Sequence, residues 1–150
     1  MAKPWLLVGI SHRLTEPFKK RERGLKPISR LFRKSLGVFV IDTGNNNTMN
    51  LEIRALTSPQ YNIHRFGIHL VDTPRHADVL LVLGPILQSM LTPLQMTIQQ
   101  IPEPFGVILI EPKSRLMGVS AEIPNLIARY DRNLSASEIL AILLGIMEEK

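Results

Sequence analysis

Five short runs in this sequence read as strands: residues 37–41, 67–71, 79–83, 107–110 and 126–130. Several of them are apolar throughout instead of alternating, and that pattern limits the possible folds more than any other feature. A strand with no polar face must be covered on both sides, which is the situation of a mostly parallel sheet sandwiched between helices. Helical stretches fall between the runs, over 48–57 and 86–100. A last helix opens at Ser135, where Ser135 and Glu138 stand at the spacing of a capping box. Alternating strands and helices predict a three-layer, flavodoxin-like α/β domain with ligands at the carboxyl ends of its strands.

The chain has 150 residues, 45% of them hydrophobic, enough to bury one core. We assign residues 1–36 to a basic, partly amphipathic leader and 37–150 to the α/β domain. The last helix carries Ile139, Leu140, Ile142, Leu143, Leu144, Ile146 and Met147. Apolar surface on more than one face suits either a deeply buried helix or one that meets another subunit. No apolar run is long enough to cross a bilayer, and no cleavage site follows the apolar patch over residues 5–10, so a cytoplasmic chain is expected.

Charge is unevenly distributed. Residues 1–34 hold ten Lys and Arg against two Glu, while residues 35–150 hold eight Lys and Arg against eleven Asp and Glu. The leader's cations, among them Lys19, Lys20, Arg21, Arg23, Lys26, Arg30, Arg33 and Lys34, suit an anionic surface. Trp5, Leu6, Leu7, Phe18, Leu31 and Phe32 are interleaved with them, which favours the cytoplasmic membrane surface or a membrane subunit over nucleic acid, for which no motif is visible. A solvated basic tail with no specific partner is the competing reading.

Chemistry-bearing motifs are scarce. His12, His64, His69 and His76 lack zinc-site spacing, so no metal site is expected, and His76 reads as a turn residue ahead of a strand. Neither GxSxG nor SxxK is present. The loop Thr43-Gly44-Asn45-Asn46-Asn47-Thr48 leads from a strand into a helix, where backbone amides can hold a phosphate. It lacks GxGxxG and a P-loop ending, so a nucleotide- or anion-binding regulatory module is the second reading. A third is an activity built on Lys113, Glu111 and Glu52. There is no cysteine, hence no thiolate for an iron–sulfur cluster and no disulfide.

The stretch IDTGNNNTMNLEIRALTSPQYNIHRFGIHLVDTPRHADVLLVLGP, with the later IPEP, makes the chain resemble a known family over residues 40–146. That family is the small iron–sulfur subunit shared by respiratory complex I and energy-converting nickel–iron hydrogenases, the formate hydrogenlyase branch above all. Its members hold a tetranuclear cluster with four cysteines. The resemblance places the first two on Asn46 and Met49, the third on or near Lys113 and the fourth near Arg132, with a shortened segment between the last two. No thiolate stands at any of them, so the resemblance implies a subunit without a cofactor or catalytic role. Its implied partners are a hydrogenase or complex I large-subunit homologue and antiporter-like membrane subunits, with the leader's Trp5, Lys19, Lys20, Arg21, Arg23, Arg30, Arg33 and Lys34 toward the membrane. Lys113 and Arg132 are expected to pair with Glu111, Glu52 or Asp131 in the vacated volume.

Overall fold

The run Val79–Leu83 is buried at all five positions, so it belongs in the interior of a sheet. The computed structural model, which describes residues 15, 17, 18, 20–25, 28, 34–113 and 118–147, places it there. In chain order the elements are β1 (Leu36–Asp42), α1 (Thr48–Leu56), β2 (Ile68–Leu70), β3 (Val79–Leu83), α2 (Leu91–Gln100), β4 (Gly106–Ile110), β5 (Leu126–Tyr130) and α3 (Ala136–Met147). Every pairing is parallel and the sheet order is β2-β1-β3-β4-β5, the flavodoxin-like order. Register runs from Val38 beside Val79 to Asp42 beside Leu83, and from Val79 beside Gly106 to Leu83 beside Ile110.

Strand periodicity divides the core into two layers. Val79, Leu81 and Leu83 of β3 point toward α1 and α3 with Ile108 and Ile110, while Leu80 and Val82 point toward α2 with Val107 and Leu109. Each such side chain contributes roughly 1.5–3 kcal/mol by leaving water. The chain leaves β1 in one direction to reach β2 and returns across it to β3. The switch point therefore lies between the carboxyl ends of β1 and β3, where the loop after β1 meets Gly84.

Two elements differ from expectation. The second strand is only Ile68–Leu70. The helix anticipated over 86–100 begins at Leu91, after a 3-10 turn at Gln88–Met90. Leu87 is extended and its N–H donates to Thr43 O at 3.1 Å, so this stretch is tied to the loop after β1 before a helix can form. Pro93 then sits in the first turn of α2, where its missing N–H removes no helical bond.

The apolar surface of α3 is covered by the chain itself. One side packs on the sheet and α1. On another side the described leader residues lie as a strap. The Glu22 N–H donates to Ala141 O at 3.0 Å, and Tyr130 donates its hydroxyl to Glu22 Oε1 at 2.9 Å. Phe18 meets Phe66 edge-on with centroids 6.5 Å apart, and Thr15 Oγ1 donates to Pro59 O at 2.8 Å. Gly145 lets the strap approach: a β-carbon there would run into the Glu22 carbonyl. Glycine inside a helix costs roughly 0.5–1 kcal/mol, offset here by strap packing.

Candidate functional site

The positions singled out in the sequence lie at the carboxyl ends of the strands. Beyond β1, the carboxylate of Asp42 turns back on its own loop. Its Oδ1 accepts from the Gly44 and Asn45 N–H groups at 3.0 and 2.9 Å, and its Oδ2 accepts from Asn50 Nδ2 at 2.9 Å. Partial burial works to raise its pKa, but the hydrogen bonds from Asn50, Asn45 and Gly44 prevail and hold it below the ordinary carboxylate value. The Gly44 and Asn45 amides, two of those this loop could offer a phosphate, are thus already occupied by an internal carboxylate.

Thr43, fully buried, donates its hydroxyl to Leu83 O at 3.1 Å and so holds the loop to the end of β3. Gly84, at φ +90°, lies against Asn45 so closely that a β-carbon would strike the Asn45 backbone. Both its left-handed conformation and the approach require glycine.

Asn46 stays exposed in this loop, where its Oδ1 accepts weakly from Thr48 N–H at 3.4 Å. Met49 is fully buried one residue into α1, and its Sδ accepts the N–H of Leu134 at 3.4 Å. One turn on, Glu52 Oε2 accepts the N–H of Ala136 at 2.7 Å. A carboxylate thereby satisfies one of the orphan donors at the start of α3 and lies at the positive end of its dipole.

Lys113 is exposed, and its backbone N–H donates to Asp131 O at 3.3 Å. Segment 131–134 therefore touches both Met49 and the backbone at Lys113. The backbone on either side of Arg132 thus meets Lys113 through Asp131 and Met49 through Leu134, while the Asn46 side chain bonds only within its own loop among the described residues.

The expected ion pairs take other forms. Arg132 pairs with Glu138 at 2.8 Å, Glu111 pairs with Arg129, and Glu52 is used as the cap of α3. Among the described residues the Lys113 side chain has no ion pair. The reason is proximity: Glu138 lies in the first turn of α3, six residues from Arg132, and also accepts from Ser135 N–H at 2.9 Å. The Glu138 N–H in turn donates to Ser135 Oγ at 3.4 Å, which completes the capping box. Arg132 first, then the Ser135 N–H, pull the Glu138 carboxyl down to about 2, and the same pairing pushes the Arg132 guanidinium above its ordinary value.

The three groups assigned to a new activity are dispersed among these jobs, with Glu111 and Glu52 engaged and Lys113 in solvent. His64 and His69 face each other through Nδ1 atoms 3.1 Å apart near the β2 edge. His76 ends the 3-10 turn Pro74–His76 ahead of β3, where its N–H donates to Thr73 O at 3.2 Å. No cluster of three metal-ligating side chains occurs among the described residues. In the leader Lys20, Arg21, Arg23 and Lys34 are exposed, whereas Trp5, Lys19, Arg30, Arg33 and His12 lie outside the described residues.

The site does not fit an iron–sulfur cluster. An amide, a thioether already accepting an N–H, an ammonium and a guanidinium paired to a carboxylate offer iron no thiolate.

No protein-family model matches the chain. Curated proteins that match include the probable membrane-bound hydrogenase subunit mbhJ of Pyrococcus furiosus, 37% identical over 92 residues, covering 61% of this chain and 55% of that protein. Formate hydrogenlyase subunit 7 of Escherichia coli is 39% identical over 72 residues, covering 48% of this chain and 28% of that protein. The chain thus spans about half the length of the first of these relatives and less of the second. A solved structure of the membrane-bound sulfane sulfur reductase, an archaeal respiratory membrane complex, aligns at 26% identity and a TM-score of 0.44 over 54% of this chain and 46% of that one. By sequence, this chain is a cysteine-free homologue of a membrane-bound hydrogenase subunit and of a formate hydrogenlyase subunit.

Proposed function

We propose that this chain is a non-catalytic structural subunit of a membrane complex related to hydrogenases and complex I, without a 4Fe-4S cluster. In this reading it bridges a large-subunit homologue and antiporter-like membrane subunits, lies peripherally on the cytoplasmic side of the membrane, and serves a complex engaged in ion or ion-coupled transport. The observation that carries the proposal is the state of the neighbourhood around Met49. Internal bonds from Met49 to Leu134 and from Glu52 to Ala136 knit α1 to the start of α3, and Arg132 pairs with Glu138 in the first turn of α3, so that Met49 and Arg132, two of the positions the resemblance assigns to ligands, are engaged internally. A site filled in this way keeps the fold and its outer surface while losing redox chemistry. Among the described residues no helix is long and apolar enough to cross a membrane.

The test is purification of the tagged chain from detergent-solubilised membranes of its host. Recovery of a large-subunit homologue and multi-spanning membrane subunits, with no iron or labile sulfide in the chain separated from them, is expected. Recovery of the chain without membrane subunits would overturn the proposal.

A further inference from the structure

We propose that the leader strap, with the groove beside it, is a docking surface for anionic phospholipid headgroups. The inference rests on the reading of the chain as a membrane-complex subunit and adds the residues and the chemistry of the contact.

The strap alternates between two faces. Phe18, Glu22 and Leu25 are half-buried against the domain, and Lys20, Arg21 and Arg23 are exposed. The inward set is fixed by the Glu22–Ala141 backbone bond, the Phe18–Phe66 contact and the close approach at Gly145. The outward cations are therefore carried on a defined rail, and ordering them at a surface costs less entropy than ordering a free tail.

Between this rail and α3 lies a groove of about 350 Å³. Lys20, Arg21 and Arg132 line it together with Leu134, Ala141 and Ile142, so cations stand beside carbon. A phosphate with its glycerol backbone has that same pairing of charge and hydrocarbon. Single-stranded nucleic acid needs stacking rings, and Tyr130 is the one aromatic side chain lining the groove among the described residues, with its hydroxyl bonded to Glu22. The groove's two carboxylates are engaged internally, Glu22 by Tyr130 and Glu138 by Arg132 and Ser135.

Each Lys or Arg near an anionic bilayer contributes on the order of 1 kcal/mol, so removing two lowers partitioning roughly thirtyfold. The experiment is sedimentation of the full chain with phosphatidylglycerol–phosphatidylcholine vesicles and with pure phosphatidylcholine vesicles. Lys20→Gln/Arg23→Gln is compared with Arg54→Gln/Arg75→Gln, which removes the same charge elsewhere. Circular dichroism melting checks that both variants fold, as expected for exposed sites.

Expected are binding to anionic vesicles alone, loss on raising salt, a roughly thirtyfold weakening for the strap variant and little change for the other. Equal weakening in both variants would overturn the proposal in favour of net charge. Absence of vesicle binding by a chain that still copurifies with membrane subunits would also overturn it, assigning the strap to a protein partner and leaving the complex membership standing. Loss of both vesicle binding and copurification would remove the two readings together.

Discussion

The sulfur of Met49 accepts the backbone N–H of Leu134 at 3.4 Å, joining the first turn of α1 to the segment before α3 across 85 residues of sequence. Both residues are buried, at 0% and 1% exposure, so water cannot replace the bond. The thioether fills the volume and satisfies a donor that an apolar side chain would leave unpaired.

Met49→Ala is therefore expected to lower unfolding free energy by about 2–5 kcal/mol, the range for truncating a buried methionine. Met49→Leu preserves volume and isolates the hydrogen bond, with an expected cost of about 1 kcal/mol. Urea denaturation of the three proteins, with unchanged m values, checks the ordering.

Removing the carboxylate that closes the start of α3 should act as loss of an N-cap. Glu52→Ala is expected to cost roughly 1 kcal/mol, and Glu52→Gln less, because an amide oxygen still accepts the Ala136 N–H but carries no charge toward the helix dipole. Amide hydrogen exchange localises the effect: protection of the Ala136 N–H should fall more than that of β3.

Acid should weaken the fold through Glu138. Its folded pKa, about 2, lies below the ordinary glutamate value of 4.5, so the folded state binds fewer protons than the unfolded state between those values. Stability from this group is present above about pH 4.5 and is lost as pH falls toward 2. Asp42, also depressed, acts in the same direction, whereas Asp78, raised chiefly by burial against the Gly37 N–H bond that lowers it, acts in the opposite one. Melting temperature against pH is expected to decline less steeply for Glu138→Gln than for the unmodified chain.

Gly145→Ala sets local preference against packing. Alanine favours the helix by roughly 0.8–1 kcal/mol, yet its β-carbon meets the Glu22 carbonyl. We expect faster cleavage after the strap's basic residues in limited trypsin digestion, with the α/β core left resistant. Unchanged cleavage would show that the strap is held independently of this approach.

Because the Asp42 carboxylate occupies the Gly44 and Asn45 amides and sets a negative charge at the loop, ATP, FMN and inorganic phosphate at millimolar concentration are expected to leave the melting temperature unchanged. Binding to the folded state alone would have to raise it.

Much of the architecture was legible because it follows from local periodicity. The run 79–83 is β3 and 126–130 is β5, and the Ser135–Glu138 spacing marks a capping box that forms. Parallel pairing followed from strands apolar on both faces. The delayed start of α2 was not legible, since it depends on a bond from Leu87 to Thr43, a partner in another crossover. Nor was the competition for cations around Arg132: the sequence offers several carboxylates, and only the fold sets Glu138 within reach while assigning Glu52 to Ala136 and Glu111 to Arg129. The covering of α3 by the leader was hidden for the same reason. The tyrosine that receives Glu22 stands 108 residues further along.

That separation imposes an order of events during synthesis. The seat of Glu22 is built from β5 and α3, and at roughly 5–20 residues per second the ribosome needs about 5–20 s to deliver Tyr130 after Glu22. Until then Glu22 lacks both of its partners, the Tyr130 hydroxyl and the Ala141 carbonyl. A nascent chain of this protein therefore shows its cations to the cell before it has a fold to carry them, and whatever anionic surface is nearby meets the leader first.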